Sequence, residues 1–136
     1  MFEAIELNPR ITSLCLSRNN LAASGAADLA KLLERNASLV RVDVSHNNFG
    51  GAGVAAIANA LKRNRAVAEL KLSGDRARDE ALVALLNMLN RNTTALEFGS
   101  NFIGGSEEAA ILDALRNNPR IVVLDLGYGT QREILK

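Results

Sequence analysis

The sequence predicts an α/β solenoid, in which short parallel strands alternate with helices along one continuous core. Three observations lead to this prediction. A strand pattern of alternating aliphatic residues occurs five times, mostly 28 residues apart. A pattern with aliphatic residues three and four positions apart, typical of an amphipathic helix, follows each of the first four copies. Units of this length cannot bury their apolar faces alone, so neighbouring units must share a core.

The strand copies align on one aliphatic column, which we expect to be buried: Leu14, Val42, Leu70, Leu96 and Leu124. The units begin near residues 11, 39, 67, 93 and 121 and together form a single domain, residues 1–136. The step from Leu70 to Leu96 is two residues shorter than the others. The missing residues lie between the third helix and the next strand, which predicts a tighter loop there.

The helical halves of the units also repeat in register. Two columns are aliphatic. The first contains Leu29, Ile57, Leu85 and Ile111, and the second contains Leu33, Leu61, Leu89 and Leu115. The third column is asparagine and contains Asn36, Asn64, Asn92 and Asn118. Residues 1–8 resemble the end of a further helix. The reason is that Pro9, like Pro119, follows an asparagine at a point where a proline cannot continue a helix.

A fourth column lies just after the strands, and its asparagines have a structural task. An amide side chain both donates and accepts, so Asn19, Asn47 and Asn101 can satisfy backbone groups in the turns of adjacent units. Asp75 occupies this column without a donor, and Gly129 occupies it without a side chain. We therefore expect a rearranged third turn and a frayed last turn.

Composition narrows the class of protein. The 136 residues are 48% hydrophobic and 23% charged, with a net charge of +1 and no Trp, which argues against a nucleic-acid-binding protein. No apolar run is long enough to cross a membrane, and no cationic leader opens the chain. Cys15 is the only cysteine, so a disulfide framework or a multi-thiolate zinc site is excluded. We expect a cytoplasmic protein without metal or cofactor.

The motif L-x-x-L-x-L-x-x-N-x-L, with a helix in each unit, resembles the leucine-rich repeats, and the unit length resembles their ribonuclease-inhibitor subtype. This resemblance covers nearly the whole chain. It implies a horseshoe-shaped arc with parallel strands on the concave face, helices on the convex face and about five strand units.

A narrower resemblance covers residues 67–105. The segments LSGDRARDEALVALLNML, from Leu72 to Leu89, and GSNFIG, from Gly99 to Gly104, resemble repeats of the tropomodulin and leiomodin family. That resemblance implies actin binding. The extended half that precedes these repeats in the family and a basic C-terminal helix are not recognisable here.

Side chains between the buried strand positions point away from the core, because successive residues of a strand face opposite sides. These side chains and their neighbours at the strand ends are the candidate partner-binding residues: Arg18, Arg41, Asp43, His46, Glu69, Lys71, Glu97, Asp125 and Tyr128. The leading prediction is a non-enzymatic module that presents this concave face to a protein. A solvated face whose charges pair with one another is the alternative.

Catalysis has little support in the sequence. Cys15 and His46 are the only thiol and imidazole, and no third orienting residue accompanies them. The glycines at Gly50, Gly51 and Gly104 suit tight turns into helices, and neither cluster continues into a phosphate-binding Lys-Ser or Lys-Thr motif.

Three other functions remain open at this point. One is a tropomodulin-like contact with actin. Another is regulation of an enzyme, which the resemblance to ribonuclease inhibitor and to Ran GTPase-activating repeat proteins allows. The third is a segment of a longer repeat protein, with self-association through the C-terminal strand edge unless residues 127–136 fold back over it.

Overall fold

The computed structural model describes residues 2–89 and 92–127. Strands and helices alternate along these ranges, and each strand has only three residues. The strands are β1 (Ser13–Cys15), β2 (Arg41–Asp43), β3 (Glu69–Lys71), β4 (Ala95–Glu97) and β5 (Val123–Asp125). The helices are α1 (Glu3–Glu6), α2 (Ala22–Arg35), α3 (Gly50–Leu61), α4 (Asp79–Met88) and α5 (Glu108–Arg116).

The strands form one parallel sheet in the order β1-β2-β3-β4-β5, so every strand pairs with its neighbours in the sequence. Leu14 lies beside Val42, Val42 beside Leu70, Leu70 beside Leu96 and Leu96 beside Leu124. The register holds across the shortened third unit. The predicted α/β leucine-rich repeat architecture with five parallel strands is therefore confirmed.

The core lies between the sheet and the helices. The central strand residues Val42, Leu70 and Leu96 are at most 1% exposed. The helices cover them with the aliphatic columns found in the sequence, including Leu29, Ile57, Leu85 and Ile111, all 0% exposed. Each helix packs against the next, which makes the core continuous from unit to unit.

The asparagine column at the helix ends has one exception. Asn36, Asn64 and Asn118 are buried, and Asn64 donates from its amide to the Leu33 and Asn36 carbonyls of the preceding unit. Asn92 is exposed instead. Thr93 is buried beside it, and its hydroxyl donates to the Val67 carbonyl at 2.8 Å. The Asn92 amide still donates to the Arg65 carbonyl of the preceding unit. The two residues missing from this connection explain the change, because they bring Thr93 into the buried position beside it.

The ends of the sheet are less buried than its middle. Leu124 in β5 is only half-buried, and Val122 and Val123 are 82% and 51% exposed. At the other end, α1 packs against α2, and Glu6 lies 3.7 Å from Arg35. Within the described residues, no helix is long and apolar enough to span a bilayer.

Candidate functional site

The outward side of the sheet forms the candidate site, which we call the strand face. It consists of two rows of side chains that cross the strands: Ser13, Arg41, Glu69, Ala95 and Val123; Cys15, Asp43, Lys71, Glu97 and Asp125. Most are exposed, whereas the residue between them in each strand is turned into the core. The structure therefore brings six of the predicted site residues onto one surface, as the alternation in the sequence indicates.

Two ion pairs connect neighbouring strands of the strand face. Arg41 Nε lies 3.7 Å from Glu69 Oε2, and Lys71 Nζ lies 3.8 Å from Glu97 Oε1. The side chains are between 38% and 59% exposed. Solvated pairs of this kind contribute at most about 1 kcal/mol each, so they position the side chains without adding much stability.

Asp43 and Cys15 lie beside the first of these pairs. Asp43 is half-buried and accepts a hydrogen bond from the Ser45 N–H at 3.1 Å, while the Cys15 thiol lies 3.9 Å from Asp43 Oδ2. With Arg41 and Lys71 these residues border an open hollow of about 230 Å³. The hollow is a shallow, mixed-charge depression, a shape that suits contact with a protein side chain.

Arg18 and His46 lie at the strand ends, next to the strand face, and both are exposed. Each adopts a left-handed backbone conformation, with φ of 61° and 59°. The His46 ring lies directly against Gly74, where a side chain would collide with it. Cys15 contacts Ser17 and Asp43, and within residues 2–89 and 92–127 no hydrogen bond joins it to His46.

The last two predicted residues lie at the C-terminal end. Asp125 is exposed, and its Oδ1 accepts a hydrogen bond from the Gly127 N–H at 2.8 Å. Tyr128 lies outside the described residues, as does Gly129. Within the described part of the chain, no cluster of His, Cys, Asp and Glu could hold a metal ion.

The polar column after the strands forms a hydrogen-bonded ladder behind the site. Asn47 Oδ1 accepts from the Asn19 N–H at 2.9 Å, and its amide donates to the Leu16 and Val44 carbonyls, both at 2.9 Å. Asn101 repeats this pattern in the fourth unit, where it accepts from the Asp75 N–H at 2.9 Å. The ladder links adjacent turns and holds the strand ends in place.

Asp75 interrupts the ladder at one position. Its Oδ1 accepts from the Asn47 N–H at 2.7 Å, as an asparagine would, but its buried Oδ2 has no hydrogen-bond partner among the described residues. Burial raises the pKa of Asp75 from 3.8 to about 6, and backbone N–H groups around Asn47 partly oppose this shift. The nearby Asp43 carboxylate raises the pKa further.

Ser45 and Ser73, which follow β2 and β3, form a second, shorter ladder. Ser45 is 7% exposed, and its hydroxyl accepts from the Ser73 N–H at 3.1 Å. Ser73 accepts in the same way from the Gly99 N–H. Each hydroxyl thus binds the backbone just after the next strand, which holds the strand ends beside the strand face in place.

The third turn differs from the first two, and sequence reasoning did not assign it a role. Arg78 is extended, with φ of −114° and ψ of −177°, whereas Gly50 at the same position of the second turn has φ of +72°. Arg78 pairs with Phe102 of the next unit through an isolated parallel bridge. The unusually polar run from Asp75 to Asp79 was the available signal in the sequence.

Comparisons with known proteins support the fold. A family described as Leucine Rich repeat matches residues 35–58. Comparison with curated proteins finds no match.

Two solved structures have a similar fold. A structure titled "Leiomodin-1 Actin-Binding Site 2 (ABS2)" has a TM-score of 0.86 and 19% identity, and the alignment covers 98% of this chain and 82% of that one. A tropomodulin C-terminal domain from Caenorhabditis elegans has a TM-score of 0.81 and 8% identity, with 94% and 81% covered. The fold of this chain is therefore similar to that of the leiomodin and tropomodulin domains, and residues 35–58 match a leucine-rich repeat.

Proposed function

We propose that this chain is a non-enzymatic protein-interaction module that binds its partner through the strand face. The observation that carries the proposal is the strand face itself, a continuous parallel surface of charged side chains in known register. Repeat proteins of this architecture use such extended surfaces for binding. The cytoplasm is the compartment we propose, since an exposed lone Cys15 suits a reducing environment.

The charges of the strand face favour recognition of a partner over stabilisation of the fold. The pairs Arg41–Glu69 and Lys71–Glu97 are long and solvated, so a partner can replace one member at low cost. The mixed signs of the charges in the two rows require a complementary pattern on the partner, which provides specificity more than affinity.

Actin is the first partner to test. The structure with the TM-score of 0.86 is titled as an actin-binding site of leiomodin, and the similarity extends over 98% of this chain. We propose that the strand face of this chain contacts actin, either along the filament or at its pointed end.

Co-sedimentation with filamentous actin and elongation of filaments from their pointed ends test this proposal. The wild-type chain should pellet with actin or slow elongation, and Arg41→Glu/Lys71→Glu should weaken the effect by about tenfold or more, because it reverses two charges of the strand face. Lys62→Glu/Arg63→Glu is the matched control, since it makes the same charge change at exposed residues that follow α3.

The outcomes separate the partner from the surface. Absence of any wild-type effect on actin would remove actin as the partner. An actin effect that the strand-face variant retains, with an unchanged melting temperature, would show that the strand face is not the binding surface. If the control variant loses actin binding to the same extent, the interaction depends on the net charge of the protein and not on the strand face.

Self-association through the outer edge of β5 is a second proposal, and the exposed Val122 and Val123 support it. Unpaired strand edges are templates for further pairing. Sedimentation at increasing concentration should reveal a dimer that Val123→Lys prevents, and a monomer at every concentration would contradict it.

A further inference from the structure

A second exposed surface lies beyond the strand ends, in the turns of the third and fourth units. We call it the turn patch and define it by Arg76, Arg78 and Phe102. Both arginines are exposed, and Phe102 is 55% exposed. Arg78 Cζ lies 5.9 Å from the centre of the Phe102 ring, within the range of a cation–π contact. The patch therefore combines two cations with a large apolar ring.

The arginines of the turn patch differ from the cations of the strand face in their partners. Arg41 and Lys71 each face a carboxylate, whereas Arg76 and Arg78 have no ion pair among the residues that the structure describes. Both arginines border a hollow of about 250 Å³, together with Gly51, Ala55, Glu80 and Ala81. The hollow thus combines positive charge with small residues, and Glu80 is the one carboxylate among the described residues that line it.

The backbone beneath the turn patch is held in place. The Phe102 N–H donates to the Ala77 carbonyl at 2.6 Å. Asp79 is 1% exposed and accepts from the Gly104 and Glu107 N–H groups, at 2.9 and 3.1 Å. These bonds join the third turn to the loop that carries Phe102. A patch that is already ordered loses little conformational entropy when it binds.

We propose that the turn patch binds an acidic segment of a protein, with a carboxylate between Arg76 and Arg78 and an apolar side chain against Phe102. Guanidinium groups match carboxylates in geometry and bind them through paired hydrogen bonds. A protein segment fits better than a nucleic acid, because the patch has one aromatic ring, Phe102, for the stacking of bases. The inference rests on the proposed function in that the partner is a protein, but it concerns a different surface.

Selection from a displayed library of short random peptides tests the proposal directly, since the peptides themselves serve as the probe. Enriched peptides should carry net negative charge with an apolar residue, and high salt should weaken their binding. Arg76→Glu/Arg78→Glu and Phe102→Ala should each reduce binding, the charge reversal by about tenfold or more. Lys62→Glu/Arg63→Glu should bind like the wild type, and melting temperatures should show that all variants are folded.

Several results would overturn the inference. These are no enrichment, enrichment of neutral or basic peptides, and acidic peptides that Arg76→Glu/Arg78→Glu binds as well as the wild type. Preferential binding of single-stranded RNA that this variant loses would assign the patch to nucleic acid. If only Arg41→Glu/Lys71→Glu loses the peptides, the turn patch is excluded while the strand-face proposal stands. If actin binding fails but peptide binding behaves as expected, the turn-patch proposal stands and actin is removed as the partner of the strand face.

Discussion

Replacement of Asp75 by Asn should stabilise the protein at neutral pH. The side chain is 0% exposed, and its Oδ2 has no hydrogen-bond partner among the described residues. At the equivalent position of the second unit, the Asn47 amide donates to the Leu16 carbonyl of the preceding unit and to the Val44 and Ser45 carbonyls of its own unit. By repeat symmetry, an amide at position 75 would donate to the Val44 and Leu72 carbonyls, while its oxygen kept the bond from the Asn47 N–H.

The pKa of Asp75 sets the size and the pH window of this effect. Its rise from 3.8 to about 6 means that the charged carboxylate is disfavoured in the folded protein, mainly because it is buried. The difference corresponds to a free-energy penalty on the order of 3 kcal/mol for the fully ionised side chain. Because the folded-state pKa is the higher one, the stability that protonation provides is present below pH 3.8 and is lost as pH rises to about 6.

Urea unfolding of wild type and Asp75→Asn, above pH 6 and near the unfolded-state value of 3.8, measures the prediction. The variant should be more stable by about 2 to 3 kcal/mol at the higher pH, and this advantage should shrink as pH falls.

Asp79→Asn is the matched control for that experiment. Asp79 is equally buried, but both of its oxygens accept from backbone N–H groups. The same chemical change should therefore destabilise the protein there by about 1 to 3 kcal/mol, because an amide donor would face a backbone donor. If Asp75→Asn is destabilising, or if its advantage does not depend on pH, the reasoning about the unpaired carboxylate is refuted.

Three further predictions concern the core and the turns, and each is measured by chemical denaturation. Asn47→Ala should cost about 2 to 4 kcal/mol, since it leaves buried backbone groups of two units unpaired; a cost near zero would show that water replaces the amide. Leu70→Ala should cost about 2 to 5 kcal/mol and Leu124→Ala distinctly less, because the first side chain is 1% exposed and the second is half-buried; equal costs would contradict the central position of the core. Gly74→Ala should cost about 1 to 2 kcal/mol through its φ of +67° and displacement of the His46 ring, and a stable variant with an unmoved His46 would be inconsistent with this turn.

Most of the fold follows from the period of the sequence. The aliphatic column from Leu14 to Leu124 sets both the strand order and the register, because every unit must place the same side chain in the shared core. The alternation within each strand likewise predicts which residues form the strand face. Asn92 shows the limit of this reasoning, since two missing residues moved it to the surface and placed Thr93 against the Val67 carbonyl.

The candidate site was predictable as a surface but not in its details. Repetition places Arg41 beside Glu69 and Lys71 beside Glu97, yet it does not determine which charges pair at 3.7 and 3.8 Å. The turn patch was not predicted, because Phe102 and Arg78 occupy different units and meet only through the altered third turn.

The sequence by itself determined the repeat, the parallel order of the strands and the side of the sheet that each strand residue occupies, because these depend on local periodicity and on the need to bury one face. Only the tertiary structure decided how far Asp75 is buried, why its Oδ2 lacks a partner and which arginines lack a carboxylate. Those properties depend on the positions of groups from neighbouring units. Solvation and pairing energies change steeply over a few ångströms, and periodicity alone does not specify distances that small.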